Sequence, residues 1–302
     1  MRSLGNLLRM GHCAPAAMKT ILQICHANEE WPVKLAAGLP GGIGDTGFEC
    51  GGITSPVVFL GLRYGLGEKH DGLPLIFYKG HDHFRRFLDR NGTPLCREIR
   101  CDNYRLTKCI RAVCCAPEIA LTVASRDDSR DAIPGEQKEA YARAYSHLAG
   151  RGFHCSWAVL ERLSPEIPLG AELRKATSGF LGGTLLKGMT CSALVAGVMA
   201  LGFRLRKFEN SVPRVMRMIL LMKTGGNAFA DHINKFNVIM NRGKSLARWF
   251  VEQFGDTQCR AITGCDFSSS ADVEKYIDTD SASRCLAISE KVAEKVRNMM
   301  LI

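Results

Sequence analysis

The sequence contains an internal duplication, in which a pattern of glycines and cysteines from the first half returns in the second. Five pairs lie 141 residues apart: Gly38 and Gly179, Gly41 and Gly182, Gly42 and Gly183, Gly47 and Gly188, and Cys50 and Cys191. Three later pairs lie 163 residues apart: Phe87 and Phe250, Gly92 and Gly255, and Cys96 and Cys259. The second copy therefore carries 22 extra residues within 203–248. We predict a first repeat over 1–124, a charged, turn-prone linker over 125–137 and a second repeat over 138–302.

Cysteines are kept in register between the two copies. Of the 13 cysteines, ten fall at matching points and are candidate ligands of a metal centre: Cys13, Cys50, Cys96, Cys101 and Cys109, with Cys155, Cys191, Cys259, Cys265 and Cys285. The other three are Cys25, Cys114 and Cys115. A cysteine that only fills space could be replaced by Ala, Val or Ser in one copy at little cost. Retention of all five in both copies therefore indicates that the sulfur itself is used.

The spacing of apolar residues predicts helices almost throughout. From Ala14 to Cys25, apolar side chains recur at i, i+3, i+4, i+7, i+8 and i+11, and a similar stripe runs from Cys285 to Met299. Alternating apolar and polar runs, which would indicate strands, are scarce. Pro56 lies inside a helix that would otherwise begin near Cys50, so we expect a kink or a delayed start there. The sequence thus predicts an all-α fold of two tandem helical bundles, each of four or five helices.

Composition and charge narrow the compartment and the partners. The 302 residues are 46% hydrophobic and 23% charged, which excludes a disordered chain, and no apolar run reaches the roughly 18 residues of a membrane helix. We find no secretory signal pattern and expect a cytoplasmic protein with reduced thiols. The net charge is +10, and one basic stretch, interpreted as a solvated helix surface, contains Arg204, Arg206, Lys207, Arg214, Arg217 and Lys223. We expect a partner protein with an acidic surface, or a second copy of this chain, rather than nucleic acid.

The cysteine spacing excludes several familiar sites. Zinc knuckles and thioredoxin-like sites use Cys-x-x-Cys, c-type haem attachment uses Cys-x-x-Cys-His, and zinc proteases use His-Glu-x-x-His, and none of these occurs in the sequence. An iron–sulfur cluster stays open, because its thiolates need not come from one tight run. A dithiol/disulfide pair also stays open, since cysteines that are far apart in sequence can meet in a bundle.

A glycine-rich loop, residues 41–47, leads into Cys50. Such a loop lets the backbone approach a ligand closely, and we predict cofactor contacts for two of its glycines, Gly42 and Gly47, and for their counterparts in the second repeat, Gly183 and Gly188. We place Cys50 near a helix N-terminus, which would lower the thiol pKa and favour the thiolate. The loop also fits Gly-x-Gly-x-x-Gly as a string, but no strand precedes it and Leu185 replaces its middle glycine in the second copy. We therefore reject a dinucleotide site.

Histidines are the remaining candidates. His12 and His154 each precede a repeat cysteine and could assist a thiolate or bind a metal, although a polar residue at a helix start is the commoner role. The run His81-Asp82-His83 has no counterpart in the second repeat, and we expect it at the surface.

These motifs resemble those of a known family, the redox-active proteins named for a spaced Cys … Gly-Cys-Ala-x-x-Gly … Cys … Cys pattern (C_GCAxxG_C_C). The most specific stretch is the glycine-rich turn into Cys50-Gly51-Gly52 and the helix that ends Leu-Gly-Leu-Arg-Tyr-Gly at residues 60–65. The segments that begin at Cys96 and Cys259 are similar to the family's third-cysteine region. The resemblance covers both halves and carries over eight cysteines: Cys13, Cys50, Cys96, Cys109, Cys155, Cys191, Cys259 and Cys285.

The chain departs from the family pattern at a few positions. Glu49 and Thr190 stand where the motif has glycine before the cysteine, Ser55 and Ala196 stand near its last glycine, and Ser192 follows the cysteine of the second repeat. The second repeat also lacks the Tyr-Gly ending. The resemblance implies a helical fold, redox activity and an iron–sulfur or related metal centre, and it implies no named substrate.

Three hypotheses follow. The leading one is a redox or electron-transfer protein whose repeated cysteines bind an iron–sulfur cluster in each repeat and whose partner is another redox protein. The second is a metal-free thiol/disulfide redox protein. The third is a non-catalytic zinc-binding or interaction module. No motif identifies an organic substrate, so the sequence does not assign the chain to the enzymes.

Overall fold

A computed structural model describes residues 2–100, 106–168, 170–205, 212–213, 216, 220 and 238–301. Their α-helices are α1 (Arg2–Met10), α2 (Cys13–Ile24), α3 (Trp31–Ala36), α4 (Gly51–Tyr64), α5 (Leu75–Asn91), α6 (Cys96–Arg100), α7 (Leu106–Ser125), α8 (Gly135–Gly150), α9 (Cys155–Arg162), α10 (Gly170–Thr177), α11 (Ser192–Leu205), α12 (Val238–Phe254), α13 (Cys259–Thr263), α14 (Ser270–Asp278) and α15 (Ser281–Met300). A short 3-10 helix, Asp128–Ala132, lies in the predicted linker. One antiparallel pair, β1 (Lys69–His70) and β2 (Leu73–Pro74), is the sheet of the described chain. The predicted all-α fold is confirmed.

The first half contains more helices than the predicted four or five. Residues 2–100 and 106–125 form seven helices. Two of them, α3 and α6, are only six and five residues long. A helix of one or two turns shows no apolar periodicity in the sequence, so these two escaped the prediction. No described helix is both long enough and apolar enough to span a bilayer.

Helix α4 begins at Gly51, directly after Cys50, so of the two outcomes expected at Pro56, a kink or a delayed start, the delayed start is wrong. Proline lacks an N–H, and this leaves the carbonyl of Gly52, four residues earlier, without its helical donor. The Nε2 of His83 takes that place, at 2.9 Å from the Gly52 oxygen. Helix α4 therefore tolerates an internal proline because a side chain of α5 replaces the missing hydrogen bond.

The run His81-Asp82-His83 is buried, which corrects the predicted surface location. His81 Nε2 lies 2.8 Å from the Leu185 carbonyl oxygen. Asp82 accepts hydrogen bonds from Arg85 and Arg86 on the next turn of α5. Asp82 and the Nε2 atoms of both histidines are thus paired within the protein, which lowers the cost of burying them, whereas the buried Nδ1 of His83 has no partner in the described part of the chain.

The two repeats pack on each other in a reciprocal way. A Cβ at Gly38 would stand 2.1 Å from the carbonyl oxygen of Val198 on α11. In the other direction, a Cβ at Gly179 would stand 2.6 Å from the side chain of Val57 on α4. Gly38 corresponds to Gly179 and Val57 to Val198, each 141 positions apart, so the same contact occurs twice with the two repeats interchanged. The halves are therefore related by an approximate two-fold rotation, as in an isologous dimer interface.

A second reciprocal contact lies further along α4 and α11. A Cβ at Gly61 would stand 2.5 Å from the carbonyl oxygen of Lys175, and one at Gly202 would stand 2.9 Å from that of Lys34. In each case the helix of one repeat meets the backbone of the other at a glycine. The close approach of the helices in this interface therefore depends on glycine at two matching positions, Gly61 and Gly202, where a side chain would collide with the other repeat.

Two predictions fall mostly outside the described residues. In the basic stretch, Arg204 is described, whereas Arg206, Lys207, Arg214, Arg217 and Lys223 are not. Cys101 also lies outside the described residues.

Candidate cysteine sites

Four cysteines converge in each repeat. The first cysteine site consists of Cys13, Cys50, Cys96 and Cys109; the second consists of Cys155, Cys191, Cys259 and Cys285. In each site one cysteine begins a long helix, one directly precedes the next, one begins a five-residue helix, and one lies inside the last helix. Three of the four sulfurs in each site therefore lie at helix N-termini, where backbone N–H groups favour negative charge.

A backbone bridge holds the second and third cysteines of each site. The N–H of Cys50 donates to the Pro94 carbonyl at 2.8 Å, and the N–H of Cys96 donates to the Phe48 carbonyl at 2.6 Å. The second site has the same pair of bonds, from Cys191 to Thr257 at 2.8 Å and from Cys259 to Met189 at 2.6 Å. The glycine-rich turn and the five-residue helix are thereby joined into one scaffold.

The thiols of the first site lie close enough to act on one another's ionisation. Burial raises the pKa of Cys50 most, and the charges of Cys13, Cys96 and Cys109 raise it further. The same holds for Cys96, through burial and then Cys13 and Cys109. Burial, followed by the charge of Cys13, raises the pKa of Cys109 to about 12. All six pairs of the four thiols thus interact.

The second site has the same property. Burial raises the pKa of Cys259 most, and the charges of Cys191, Cys155 and Cys285 add to it. The pKa of Cys155 is raised by burial and by Cys285 and Cys191. Burial and Cys285 raise the pKa of Cys191 to about 12. Each pair of sulfurs within this site is therefore also in electrostatic contact.

The predicted thiolate at Cys50 is not what the structure favours. Cys50 is the N-cap residue of α4, and the Gly52 N–H lies 3.4 Å from its sulfur, as the helix-start prediction requires. Burial outweighs that bond, however, because a charged sulfur loses its hydration in the protein interior. At neutral pH the thiol stays protonated unless a positive charge enters the site.

The predicted cofactor glycines close the turn. Gly42 and Gly183 have positive φ, and a Cβ at either would lie 2.4–2.6 Å from the backbone of the same turn. Gly47 and Gly188 also have positive φ and stand against Arg97 and Arg260. Contact of the four with a cofactor stays a prediction.

Sequence reasoning missed the glycines that bond to sulfur. The backbone N–H of Gly41 bonds to Cys13, and that of Gly182 bonds to Cys155. These two glycines are 141 residues apart, so the repeat contained the signal that could have found them.

The remaining cysteines differ in their relation to the sites. Cys265 is buried beside the second site, where burial and nearby charges, including those of Asp272 and Asp266, raise its pKa to about 12. Cys25 is exposed, Cys114 is half-buried, and Cys115 bonds to Asn91. These last three are not among the thiols that act on either site's pKa values.

Two side-chain hydroxyl groups belong to the second site, and one of them bonds to a sulfur. Tyr276, which is buried, donates from its hydroxyl to the Cys285 sulfur at 3.5 Å. The four cysteines of this site line a cavity of about 10 Å³, and Ser192 lines it too. Neither group was predicted: Ser192 was visible as a departure from the family pattern, while Tyr276 has no matched residue in the first repeat.

The histidines before the first cysteines stand at helix starts, and neither side chain makes a capping hydrogen bond. His12 is the N-cap residue of α2, and His154 is that of α9. Both ring nitrogens of His154 are engaged, Nε2 with the Ser178 carbonyl and Nδ1 with the Ser156 hydroxyl, each at 3.1 Å. Burial lowers its pKa to about 3. The helix-start role fits His154 better than metal binding.

A buried carboxylate joins the two repeats next to the cysteines. Glu49, directly before Cys50, accepts hydrogen bonds from the hydroxyl of Thr184 at 2.8 Å, from the N–H of Thr190 at 3.2 Å and from the Thr190 hydroxyl. Thr190 directly precedes Cys191. The two departures from the family glycine therefore bond to each other across the interface, between the two cysteine sites.

Among the described residues, no group of three or more Cys, His, Asp or Glu side chains is arranged to hold a single metal ion. A family model with the description "Putative redox-active protein (C_GCAxxG_C_C)" matches the chain over residues 11–123 and again over 153–299. No curated protein and no solved structure matches it. Each matched segment contains one complete cysteine site.

Proposed function

We propose, since the chain belongs to the C_GCAxxG_C_C family of redox-active proteins and contains two tandem copies of it, that it is an electron-transfer protein with an iron–sulfur cluster in each repeat. Cys13, Cys50, Cys96 and Cys109 would hold the first cluster. The second would be held by Cys155, Cys191, Cys259 and Cys285. The convergence of four sulfurs from four separate helices, once in each repeat, supports this most directly.

The chemistry of the donor set suits such a group. Four thiols, two on buried and two on half-buried residues, that raise one another's pKa cannot all ionise unless positive charge enters among them. The helix N-termini at three of the four positions add N–H groups that face anionic sulfur. A cluster bound there would supply one-electron redox chemistry. The protein's part is to bury the sulfurs, to bond them through Gly41, Gly52 and Gly182, and to exclude water.

The arrangement of the described thiols does not fit a single zinc ion. In a tetrahedral zinc site with Zn–S bonds of about 2.3 Å, the sulfurs lie roughly 3.8 Å apart. The described thiols form no group that fits one ion. Thiolates that bind different iron atoms of one cluster stand further apart, so the zinc hypothesis is the weaker one.

A second candidate is a metal-free dithiol/disulfide protein, and the small cavity favours it. About 10 Å³ between the four cysteines of the second site is room for roughly one water molecule. Two neighbouring thiols would lose two electrons and two protons to form a disulfide, with an acceptor disulfide as oxidant. The twelve described cysteines are free thiols.

We place this function in the cytoplasm, where free thiols persist. The partner would be a redox protein with an acidic surface, because the chain has a net charge of +10.

The test is to purify the full chain without oxygen and to measure iron, acid-labile sulfide and visible absorbance. We expect a brown protein. Cys50→Ser and Cys191→Ser should each remove about half of the iron and sulfide, because each change removes one ligand of one cluster. Cys115→Ser is the matched control, since it removes a buried cysteine outside both sites.

A colourless, iron-free anaerobic preparation would contradict the cluster. Mass spectrometry of alkylated thiols, before and after a dithiol reductant, then tests the second candidate. The second candidate is supported if two thiols of one site are absent together before reduction and are both alkylated after it.

A further inference from the structure

The two cysteine sites are not chemically equal, and we propose that the second site has the higher reduction potential because the Tyr276 hydroxyl donates to its Cys285 sulfur and the unpartnered Ser192 hydroxyl lines the cavity between its four cysteines. This inference rests on the proposed redox function. It concerns the cluster of that function, whose sulfurs carry more negative charge when the cluster is reduced.

Tyr276 on α14 is the stronger of the two groups. Its side chain is 3% exposed, and its hydroxyl lies 3.5 Å from the Cys285 sulfur on α15. A tyrosine hydroxyl held out of water this way has the sulfur as its hydrogen-bond acceptor. In the first site, the described donors to sulfur are backbone N–H groups, such as that of Gly52 to Cys50.

Ser192 supplies the second observation. It is 1% exposed, lines the cavity formed by the four cysteines, and its hydroxyl has no hydrogen-bond partner in the described part of the chain. The matched residue of the first site is Gly51, where a Cβ would stand 2.8 Å from the Cys13 sulfur. The first site therefore excludes a hydroxyl at this position by close packing, and the second has space for it.

Other influences on the potential are similar in the two sites. In each, two sulfurs are deeply buried and two are half-buried. Each also has a nearby guanidinium: Arg100 acts on Cys96 and Cys109, and Arg284 acts on Cys285. The second site also has Cys265, whose charge acts on Cys259. Among the side-chain hydrogen bonds to the sulfurs, that of Tyr276 is the described difference between the sites.

The direction follows from electrostatics. A donor hydrogen bond stabilises sulfur more when it carries more charge, so it stabilises the reduced form and raises the potential. At equilibrium, an electron shared between the repeats would reside on the second site. Tyr276 is a positioning residue in this account: it acts on Cys285 and does not itself react.

The experiment is an anaerobic redox titration of the full chain, followed by visible absorbance, with Cys109→Ser and Cys285→Ser used to assign each wave to a site. We expect two waves. Tyr276→Phe should shift only the second-site wave to lower potential, by about tenfold in the ratio of reduced to oxidised protein, or about 59 mV for a one-electron couple. Ser192→Gly, which restores the first-site residue, should shift the same wave in the same direction.

Tyr78→Phe is the matched control, because Tyr78 is buried and its hydroxyl bonds to the His70 carbonyl at 3.2 Å rather than to sulfur. It should leave both waves unchanged. This inference is overturned if Tyr276→Phe and Ser192→Gly both leave the two waves in place, or if the two sites titrate at one shared potential. The proposed function would still stand in either case. If the chain has no cluster wave, this inference fails together with the cluster; if it also lacks a reversible dithiol couple, the proposed redox function fails as well.

Discussion

At the scale of single residues, Glu49 is the most consequential departure from the family pattern. Its carboxylate is fully buried and all its described side-chain bonds go to Thr184 and Thr190 in the other repeat. Burial raises its pKa, and the threonine bonds only partly oppose that effect. A buried carboxyl group is destabilising unless it is hydrogen-bonded, so the contact between the repeats depends on the bonds from Thr184 and Thr190 to Glu49.

Thr190→Val tests this dependence. Valine keeps the shape of threonine but leaves Glu49 without one hydrogen-bond donor, so we expect the free energy of unfolding to fall by about 1–3 kcal/mol. Urea unfolding followed by circular dichroism measures it. Thr122→Val, at an exposed position, is the control and should have little effect. Equal stability of the two variants would mean that the Glu49 bonds do not hold the interface.

At the scale of secondary-structure elements, Pro56 and His83 form a pair that the second repeat lacks. The matched residues there are Gly197, which has an N–H, and Leu246, which packs against it with a 3.0 Å approach to a Cβ built at Gly197. Where the helix has no proline, no side chain is needed to satisfy the carbonyl. The same pair of helices is therefore packed in two ways, with proline and histidine in the first repeat and with glycine and leucine in the second.

A double-mutant cycle tests the pairing. His83→Leu alone should destabilise the protein by about 1–3 kcal/mol, because the Gly52 carbonyl is left buried without a donor. In the Pro56→Gly background the same change should cost clearly less, since the restored N–H satisfies that carbonyl. Urea unfolding of the four proteins gives the coupling energy. Strictly additive effects would show that His83 does not replace the hydrogen bond that Pro56 cannot donate.

The same histidine predicts a pH dependence of stability. Burial lowers the pKa of His83 from 6.5 to about 4, so the unfolded chain takes up the proton first as the pH falls. Its contribution is complete above pH 6.5 and is lost between pH 6.5 and 4, with a slope of at most about 1.4 kcal/mol per pH unit. We expect Pro56→Gly/His83→Leu to show a shallower loss than the wild type in urea titrations over this range. An unchanged slope would contradict the assignment.

At the scale of the whole molecule, the duplication behaves as a dimer within one chain. The turn of each repeat packs on the cysteine-capped helix of the other, as Gly38 does on Val198 and Gly179 does on Val57. The fold of each cysteine site is thus supported partly from the other half. This arrangement explains why glycines at the interface recur in both copies along with the cysteines.

The sequence predicted the parts of this architecture that the repeat encodes. Matched cysteines and apolar stripes indicated the helices and the residues that meet in each site. A repeat does not say which copy a conserved glycine packs against, so the exchange of contacts between halves was not predictable. Burial of His81-Asp82-His83 was also missed, in the case of His81 because its partner, the Leu185 carbonyl, lies in the other repeat.

The reciprocal interface makes a symmetric prediction for Gly61 and Gly202. Alanine at either position places a Cβ 2.5 Å from a backbone atom of the other repeat, and backbone cannot move aside as a flexible side chain can. We expect each variant to lose about 1–3 kcal/mol of unfolding free energy, measured in urea. Gly150→Ala is the control, since no atom lies within 4 Å of a Cβ there. Because the two glycines occupy equivalent positions of a pseudo-symmetric interface, a large loss at one and none at the other would show that the halves do not pack reciprocally.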